Sequence, residues 1–556
     1  MNSTLKKDVS KFEPRLEQQN CLNFIEKTLE DSKLVKFFLL DLPVGIGKSH
    51  LSIMISDWYK NNINKSAKVD IVTATKILQD QYSDSYGSLN NLKGNDNYTC
   101  DEFSCSCKFG KQLAKLANKK CEDCPYDNSR NGYMNGSLAL TNFHLYSVFS
   151  LFGDKMPETR KADVLILDEA HLFDDIMSDF FTFKINERVI KRFKLPNERA
   201  NINALKKVND LDSYIEFLYD LNEQLVDTID YLSKEIGLDK KLKNKKVIDR
   251  SSKISKVLKK ENTATKSMSV LFDITNEQSK LDLILKEYKL NESNWIFDKT
   301  KVFKDKEDSY SISAIWSYDF LDKYIFSKYE RVFLMSGTIL DKNMFCQLNG
   351  LDVTKSSYYR IRSPFDVNNR KVYYLPVGKM SYKQKEETFK KYIPYIKKIL
   401  KKYWNQKGII HTNSFELANR IKESINDPRL VFHDSSNKDE VLNEHKKSDK
   451  PTVIVSPSMD TGVSFDGDYA RFQIIAKIPY PSLASKKNKM RQKSNQDWYS
   501  YKTCASLQQA SGRIVRSKDD KGDTIIMDSC FSDVIRYSSH YLLDWFQDSV
   551  VSINQK

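Results

Sequence analysis

The sequence contains no run of 18 uninterrupted apolar residues, so we expect no membrane-spanning helix. The first residues, 1–7, carry no apolar core of the kind that a secretory signal needs. No internal repeat is visible. We therefore expect a cytoplasmic protein in a reducing compartment, where cysteines seldom form structural disulfides.

The length and the charge of the chain limit the kind of protein it can be. With 556 residues, the chain is too long for one core, and length alone suggests roughly three to four domains. The hydrophobic content of 40% supports real cores. The net charge of +15 favours a polyanionic partner, most simply nucleic acid, although a solvated lysine-rich surface is the alternative.

Residues 41–49 read Asp-Leu-Pro-Val-Gly-Ile-Gly-Lys-Ser, and they follow an apolar run at 37–40 that predicts a short buried strand. A strand, a glycine-bearing turn and a helix that begins at Gly-Lys-Ser form the context of a phosphate-binding P-loop. Lys48 can reach the β and γ phosphates, and the Ser49 hydroxyl can bind Mg²⁺. The first glycine of the pattern is missing, since Leu42 stands there, so this stretch alone could also be an ordinary turn.

A second apolar run, 164–167, predicts a buried strand that ends in Asp168-Glu169-Ala170-His171. Asp168 can hold Mg²⁺ through water, and Glu169 can activate the attacking water. Because a P-loop lies upstream, an NTPase is favoured over a core strand that happens to end in acids.

Two further segments place polar residues where a nucleotide could meet them. Arg15 and Gln18 lie one turn apart at the start of a predicted helix. An amide can pair with the edge of adenine and an arginine can stack on it, although an exposed helix start is the alternative. Downstream, a predicted parallel strand brings Thr73, Thr75 and Lys76 to its carboxyl end, where ligands bind in open α/β sheets.

Five of the nine cysteines are bunched between residues 100 and 124. In a cytosolic protein such thiolates usually hold zinc or an iron–sulfur cluster, and a chance group of free thiols is the alternative. Four ligands suffice, so one cysteine is spare, and spacing does not choose between the two metals because Cys-x-x-Cys serves both. The five are Cys100, Cys105, Cys107, Cys121 and Cys124.

The middle of the chain changes character. From 183 to 300 the apolar residues repeat at helical spacing, which predicts a helical insertion, and lysines crowd 240–246. The lysine run is a solvated surface or a contact for a phosphate backbone.

Strand patterns resume at 331–336 and again in a second α/β region beyond 363–366. Near the end of this region, Gln509 precedes Arg513 and Arg516, which the spacing places on one helix face. In a two-lobed NTPase such a pair can neutralise charge on the γ-phosphate in the transition state.

The order of these motifs resembles the DinG/XPD family of iron–sulfur, DEAH-box helicases in superfamily 2. Residues 45–49 are similar to motif I of that family, 73–75 to motif Ia, 168–171 to motif II, 336–338 to motif III, 462–465 to motif V and 509–516 to motif VI. Arg15 and Gln18 match its adenine-reading segment. Residues 92–100 and 124–126 are similar to the segments that bracket its iron–sulfur domain.

The resemblance implies an α/β fold of two RecA-like P-loop NTPase lobes with two insertions in the first. It implies a first lobe at 1–94, 141–182 and 301–345, an iron–sulfur insertion at 95–140, a helical arch at 183–300 and a second lobe at 346–556. It assigns catalysis to Lys48, Asp168, Glu169, Gln509, Arg513 and Arg516. It assigns nucleotide binding to Arg15, Gln18, Gly45, Ile46, Gly47, Lys48, Ser49 and His50, and magnesium to Ser49 and Asp168.

The family match also assigns cluster ligands. It implies Cys100 and Cys124 as ligands of a 4Fe-4S cluster, with zinc as the alternative. Cys121 joins them because it forms a chelating pair with Cys124. Cys105 competes with Cys107 for the fourth place, and Cys107 is preferred.

One departure from the family concerns motif V, where Ser464 stands in place of the usual acid. Asp460 and Asp466 lie nearby and leave the coupling role of this motif open.

The function that the resemblance implies is that of an ATP- and Mg²⁺-dependent DNA helicase, acting as a monomer in DNA repair or replication. Such a helicase moves 5′ to 3′ on single-stranded DNA and opens forked duplexes, D-loops or RNA–DNA hybrids. A DNA-stimulated ATPase that translocates or remodels complexes without separating strands is the alternative. A non-catalytic nucleic-acid-binding protein is disfavoured, because Lys48, Glu169 and Arg513 are all present.

The net charge generates a first prediction. The logarithm of the association constant for single-stranded DNA should fall linearly with the logarithm of salt concentration, by about 0.7 for each phosphate contacted, because bound lysines release counterions. Fluorescence anisotropy of a labelled oligonucleotide at several salt concentrations measures this slope. A flat response would contradict a groove that follows the phosphate backbone.

Overall fold

The computed structural model describes residues 13–87, 89–116, 121–152, 160–235, 254–302, 307–459, 465 and 467–553. These residues form two compact units. Unit 1 comprises the described residues of 66–163 and 172–329, and unit 2 comprises those of 13–65, 164–171 and 330–553. The units divide the chain at other points than the domain boundaries expected from the sequence, which stay predictions.

The strands have the following bounds in chain order: β1 Phe37–Asp41, β2 Val69–Thr73, β3 Asn90–Asn91, β4 Thr99–Cys100, β5 Cys105–Ser106, β6 Leu138–Asn142, β7 Val164–Asp168, β8 Thr182–Ile185, β9 Trp295–Val302, β10 Glu307–Ala314, β11 Arg331–Ser336, β12 Ser356–Arg360, β13 Val372–Gly378, β14 Gly408–His411, β15 Leu430–Phe432, β16 Val453–Ser456, β17 Phe472–Ile475, β18 Asp523–Asp528 and β19 Val550–Ser552.

The helices have these bounds: α1 Leu16–Asp31, α2 Lys48–Asn62, α3 Lys76–Ser85, α4 Cys107–Leu116, α5 Pro125–Asn135, α6 Phe143–Phe152, α7 Phe173–Phe180, α8 Glu187–Phe193, α9 Glu198–Lys207, α10 Leu211–Glu235, α11 Ile254–Leu290, α12 Tyr318–Tyr324, α13 Lys342–Asn349, α14 Lys385–Lys402, α15 Phe415–Ser424, α16 Lys438–Lys447, α17 Lys486–Ser494, α18 Gln496–Ser511, α19 Phe531–Ser538 and α20 Asp544–Gln547. None of the helices described is both long and apolar enough to cross a membrane.

Unit 2 contains two sets of parallel strands. In the first, the order is β12-β1-β11-β7, and every residue of β1 and β7 is buried. Strands covered on both faces need apolar residues throughout, which is why the runs at 37–40 and 164–167 predicted them correctly. The register pairs Asp41 with Ser336 and Met335 with Asp168, so polar residues emerge together at the carboxyl edge.

The second set in unit 2 has the order β15-β16-β14-β17-β18-β13-β19, and all its pairs are parallel. Its buried face packs on α14 and α15 through an apolar cluster that includes Tyr392, Ile396, Ile421 and Phe472. The prediction of an α/β chain built on two parallel sheets is confirmed.

Unit 1 combines parallel strands, small antiparallel sheets and long helices. Strands β2, β6 and β3 are parallel neighbours, whereas β4-β5 and β8-β10-β9 are antiparallel. The predicted helical stripe is confirmed as α10, which packs on α11. The sequence predicts a helical segment at 183–300, but the structure also has a strand at each end of it. These strands are β8 and β9, and both pair with β10.

Two sequence expectations concern residues that the structure does not describe. The lysine run at 240–246 and the motif V residues Gly462, Val463 and Ser464, together with Asp460 and Asp466, lie outside the described residues.

Candidate nucleotide-hydrolysis site

The turn between β1 and α2 has the backbone of a phosphate-binding loop. Gly45 and Gly47 adopt left-handed φ angles of 88° and 83°, and α2 begins at Lys48. A Cβ atom on Gly45 would lie 2.3 Å from the Phe365 ring and 2.5 Å from the Arg516 carbonyl oxygen. Only glycine fits both the conformation and the space, and the start of α2 presents its backbone N–H groups at this turn.

The predicted adenine-reading residues contact this loop. Gln18 is buried, and its Nε2 donates to the carbonyl oxygens of Ile46 and Gly47 at 3.0 and 3.1 Å. Arg15 donates through Nη1 to the carbonyl oxygen of Gly45. Both side chains therefore hold the outer side of the P-loop.

The acidic residues meet the P-loop lysine at the end of β7. Lys48 Nζ lies 3.4 Å from Glu169 Oε1, and His171 Nδ1 lies 3.4 Å from Glu169 Oε2. Glu169 adopts a left-handed φ of 59° and its N–H donates to Asp168 Oδ1 at 3.0 Å. Strained backbone of this kind concentrates at functional sites, where the surroundings hold it in place.

The charges around Glu169 fix its ionisation. Burial acts to raise the pKa of this carboxyl, but Lys48, His171, Arg513 and Arg516 outweigh it and lower the pKa to about 2. Burial is the main cause that lowers the pKa of His171 to about 4; Glu169 acts to raise this pKa, whereas Lys502, Arg513 and Lys48 act to lower it. Near neutral pH the site therefore holds an ionised Glu169 and a neutral His171.

Hydrogen bonds connect His171, which lies beside the Glu169 carboxylate, with the predicted motif III and motif VI residues. His171 Nδ1 lies 2.9 Å from Ser336 Oγ, which accepts from the N–H of Thr338 at 3.1 Å. Gln509 Nε2 donates to Thr338 Oγ1 at 2.8 Å, and Arg513 Nη2 lies 3.5 Å from Gln509 Oε1. A chain of short contacts therefore links Glu169 with Arg513.

The two predicted arginines do not share a helix face. Helix α18 ends at Ser511, and Gly512 caps it, so Arg513 and Arg516 lie in the turn that follows. Because the helix ends before Arg513, the helical spacing read from the sequence is misleading here. Both guanidinium groups still act on the pKa of Glu169, and the Arg516 N–H donates to Asp520 Oδ2 at 3.2 Å.

Sequence reasoning missed Asp41, which ends β1 and is buried. Its carboxylate accepts from Arg360 Nε at 3.0 Å, Tyr358 Oη at 2.9 Å and the N–H groups of Ile339 and Leu340 at 3.3 and 3.1 Å. Leu340, just beyond the motif III residues, has a φ of 60°. In the sequence Asp41 is visible only as a single acidic residue before the P-loop. Nothing near it in the sequence identifies the residues that bind its carboxylate.

Sequence reasoning also took residues 363–366 only as a boundary loop. Phe365 instead lies against Gly45, and Arg370 holds it there by donating to the Phe365 carbonyl oxygen at 3.0 Å and to Ser363 Oγ at 2.7 Å. The Arg370 guanidinium also lies 4.8 Å from the centre of the Trp545 ring. Burial lowers the pKa of Arg370 to about 10.

The remaining predicted nucleotide residues take ordinary places in their helices. Ser49 is the second residue of α2, and His50 follows it in a buried position, where burial lowers its pKa. In unit 1, Thr73 ends β2 and Thr75 caps α3 by accepting from the Leu78 N–H at 3.2 Å. Lys76 donates to Asn97 Oδ1 at 3.0 Å.

The five bunched cysteines come together in unit 1. The Sγ atoms of Cys100 and Cys121 are 3.9 Å apart, and those of Cys107 and Cys124 are 4.0 Å apart. Cys100, Cys107 and Cys124 are buried, whereas Cys105 lies at the rim of the same cluster. All nine cysteines lie in described segments, and none of them is in a disulfide there.

The geometry at these cysteines does not by itself define a metal centre. Within the described ranges, no group of three or more histidine, cysteine or acidic side chains has the arrangement that holds a metal ion. Gly110 does show that the cluster is tightly built, since a Cβ there would lie 2.7 Å from Cys100 Sγ.

Comparison with known proteins places this geometry in a family context. A model of the helicase C-terminal domain matches residues 396–549, and a model of the res subunit of type III restriction enzymes matches residues 11–195. The P-loop and the acidic strand end fall in the second match, and Gln509 through Arg516 fall in the first.

The individual proteins similar to this chain are also helicases. A probable ATP-dependent helicase of Methanocaldococcus jannaschii is 22% identical across 91% of this chain and 90% of its own length. A homologue of regulator of telomere elongation helicase 1 from Caenorhabditis elegans is 31% identical over 96 residues, which are 14% of this chain and 10% of that protein. A solved XPD helicase has a TM-score of 0.63 at 15% identity and covers 97% of this chain and 100% of its own.

The fold and the site define an NTPase of the P-loop class with parallel α/β sheets. A helicase C-terminal domain model and a type III restriction enzyme res-subunit model match the two ends of the chain, and a probable ATP-dependent helicase is similar to it along most of its length. The fold resembles that of a solved XPD helicase. These likenesses support an ATP-dependent helicase.

The Lys48–Glu169 pair generates a second prediction. Replacing Glu169 by Gln should lower kcat for ATP by about 10²–10⁴-fold while ATP binding persists, because the sequence predicts that this carboxylate activates the attacking water. Replacing Lys48 by Ala should instead weaken ATP binding and turnover together. A coupled phosphate-release assay and calorimetric titration with ATP measure both effects, and substantial turnover by either variant would contradict the site.

Proposed function

We propose that this chain is a DNA helicase that hydrolyses ATP with Mg²⁺ and moves 5′ to 3′ along single-stranded DNA, opening forked duplexes, D-loops or RNA–DNA hybrids. The observation that carries the proposal is the continuous set of contacts from Lys48 and Glu169 through Ser336 and Thr338 to Gln509.

The proposed roles follow from the position and charge of each group. Lys48 would leave Glu169 for the β and γ phosphates, which attract it more strongly than one carboxylate does. Ser49 and Asp168 would hold Mg²⁺, the first through its hydroxyl and the second through water. Glu169, which is ionised near neutral pH, would orient the attacking water and accept its proton once Lys48 has moved to the phosphates.

The arginines complete the proposed site. Arg513 and Arg516 both act to lower the pKa of Glu169, and this supports a role for them in neutralising charge on a transferred phosphoryl group. Gln509 would couple the position of Arg513 to that of Thr338. Its amide donates to the Thr338 hydroxyl and its amide oxygen lies near the Arg513 guanidinium.

The proposed substrate is nucleic acid because of the charge of the chain and its resemblance to XPD and DinG. The net charge of +15 suits a phosphate backbone. The direction of movement, the preference for forks and action as a monomer come from the resemblance alone. A role in DNA repair or replication rests on the same ground.

We propose further that the cysteine cluster holds a 4Fe-4S group through Cys100, Cys107, Cys121 and Cys124. Cys107 is favoured over Cys105 because it is fully buried and adjoins Cys124. The sulfur separations of 3.9 and 4.0 Å are also close to the ~3.8 Å between thiolates around a tetrahedral zinc with 2.3 Å bonds. Zinc is therefore the alternative that a test must distinguish.

The cluster generates a third prediction. Protein purified without oxygen should be brown, with about four irons per chain by metal analysis, because four thiolates are the usual ligand set of such a cluster. Replacing Cys107 by Ser should lower the iron content, whereas Cys105→Ser, the matched control, should retain it. Stoichiometric zinc without iron would contradict the assignment, and loss of iron in Cys105→Ser alone would exchange the two cysteines.

Strand displacement supplies the fourth prediction. With ATP and Mg²⁺, the protein should unwind a duplex with a 5′ single-stranded tail and leave the same duplex with a 3′ tail intact. The Lys48→Ala variant is the control and should unwind neither. DNA-stimulated ATP hydrolysis without displacement of either substrate would replace this proposal with a translocase or remodeller, and unwinding of only the 3′-tailed duplex would contradict the direction.

A further inference from the structure

A tryptophan in unit 2 is held in the solvent. Trp404 follows the end of α14, and its side chain is 68% exposed. Tryptophan is among the side chains that gain most from burial, and an exposed one is typical of interaction surfaces, where a ring meets a partner. The chain therefore forgoes a gain in stability at this position.

The backbone under Trp404 is fixed. The guanidinium group of Arg429 donates to the carbonyl oxygens of Leu400, Tyr403 and Trp404 at 2.9, 3.0 and 2.9 Å. An arginine in this position caps the end of a helix. Asp427 accepts from the same guanidinium at 2.8 Å and balances its charge. The exposure of Trp404 is therefore a property of an ordered turn.

Trp404 lines an open groove of about 610 Å³. The groove also contains Lys397 and Lys401 of α14, which are exposed and lie one helical turn apart. Asn426 and Pro428 line it from the turn that leads into β15. We call this feature the Trp404 groove. It combines one aromatic ring with two ammonium groups.

The groove is positively charged. Six lysines occupy residues 390–402, and the sequence has no acid from 388 to 407. Lys397 and Lys401 form no ion pair with any residue that the structure describes. Cations in the last turn of a helix favour its dipole, but this effect accounts for neither Lys397 nor the exposed ring. An anionic partner complements the groove.

The groove lies on the face of the second parallel sheet that is turned away from the hydrolysis site. Tyr403, beside Trp404, packs in one apolar cluster with Ile410 of β14. The neighbouring Ile409 belongs to another cluster, together with Phe365 and Val515. Because successive side chains of a strand point to opposite faces, the two clusters cover opposite faces of the sheet. The groove is therefore separate from the P-loop and the predicted motif VI residues.

The chemistry of the groove favours single-stranded nucleic acid over the other anionic partners. Proteins that bind single strands combine lysines that contact phosphates with aromatic rings on which bases stack. A duplex keeps the faces of its bases covered, so it cannot stack on Trp404. An acidic peptide would match the two lysines, but it carries no regular supply of flat rings for the tryptophan.

We propose that the Trp404 groove is a second binding surface for single-stranded nucleic acid, apart from the strand path of the motor. One base stacks on Trp404, and the flanking phosphates contact Lys397 and Lys401. A strand held there raises the local concentration of substrate for the motor. This binding needs no ATP, so it does not depend on the proposed hydrolysis site.

The test uses the full-length protein and an oligothymidylate of about eight nucleotides, which is within the site sizes of single-strand binding modules. One thymine is replaced by 5-iodouracil, which joins to a neighbouring aromatic ring on irradiation, and mass spectrometry of the peptides identifies that ring. Calorimetry counts the probes bound per chain. The variants are Trp404→Ala, Trp404→Phe and the double variant Lys397→Gln with Lys401→Gln. Tyr537→Ala is the matched control, because Tyr537 is 64% exposed on α19 of the same unit.

The parent protein should crosslink at Trp404. Trp404→Ala should lose this crosslink and bind one probe fewer per chain, because losing one stacked base weakens binding by about tenfold or more. Trp404→Phe keeps a ring and should keep the count. All variants should unfold at the temperature of the parent protein, since the changed side chains are exposed, and Tyr537→Ala should match it in every measurement.

The lysine variant retains the ring, so crosslinking at residue 404 against probe concentration still reports affinity. Its slope of log affinity against log salt should be smaller by about 1.4, which is two phosphate contacts at about 0.7 each. An unchanged slope would contradict the role of the lysines.

Crosslinks at other residues only, with the same number of probes bound to the parent protein and to Trp404→Ala, would overturn the proposal and leave the groove to an acidic peptide or another protein. Strand displacement without a crosslink at Trp404 would refute the groove and leave the helicase intact. A crosslink at Trp404 in a protein that neither hydrolyses ATP nor separates strands would support the groove and refute the proposed function.

Discussion

The buried carboxylate of Asp41 is the constraint on which the nucleotide site depends. It ends the central strand β1, and it accepts from Arg360, Tyr358 and the N–H groups of the turn that follows β11. Burial raises the pKa of Asp41, while Arg360 and the other donors act in the opposite direction. Removing Arg360, whose side chain is partly exposed, would leave the buried Asp41 carboxylate without its charged partner.

That constraint extends beyond one ion pair. Leu340 donates its N–H to Asp41 and accepts at its carbonyl oxygen from Arg360. These two contacts hold Leu340 at a left-handed φ of 60°, which is costly for a branched side chain. The adjacent Ile339 accepts from Tyr501 of α18 at 2.9 Å. The turn that carries Thr338 is thus held by β1 on one side and by the helix leading to Gln509 on the other.

The strands and the positions of the two candidate carboxylates were predictable from the sequence because they are local. An apolar run followed by acids has one consistent structural interpretation, and 164–168 forms the expected strand with Asp168 and Glu169 at its carboxyl end. The partners of Gln18 were not predictable, since they lie 28 and 29 residues away and become neighbours only when α1 packs beside the P-loop. The arginine turn was missed for the opposite reason. Helical spacing continues in the sequence beyond Ser511, but Gly512 ends the helix.

The absence of the first P-loop glycine now has a physical explanation. Leu42 is fully buried, and its N–H donates to the Ser336 carbonyl oxygen at 2.7 Å, so this position continues the pairing of β1 with β11. Its φ is not positive, whereas Gly45 and Gly47 have left-handed φ angles and leave no room for a Cβ. Glycine is therefore required only where the loop turns around the phosphate site. A buried leucine at the strand end anchors the loop more firmly, because it adds apolar contact without entering the turn.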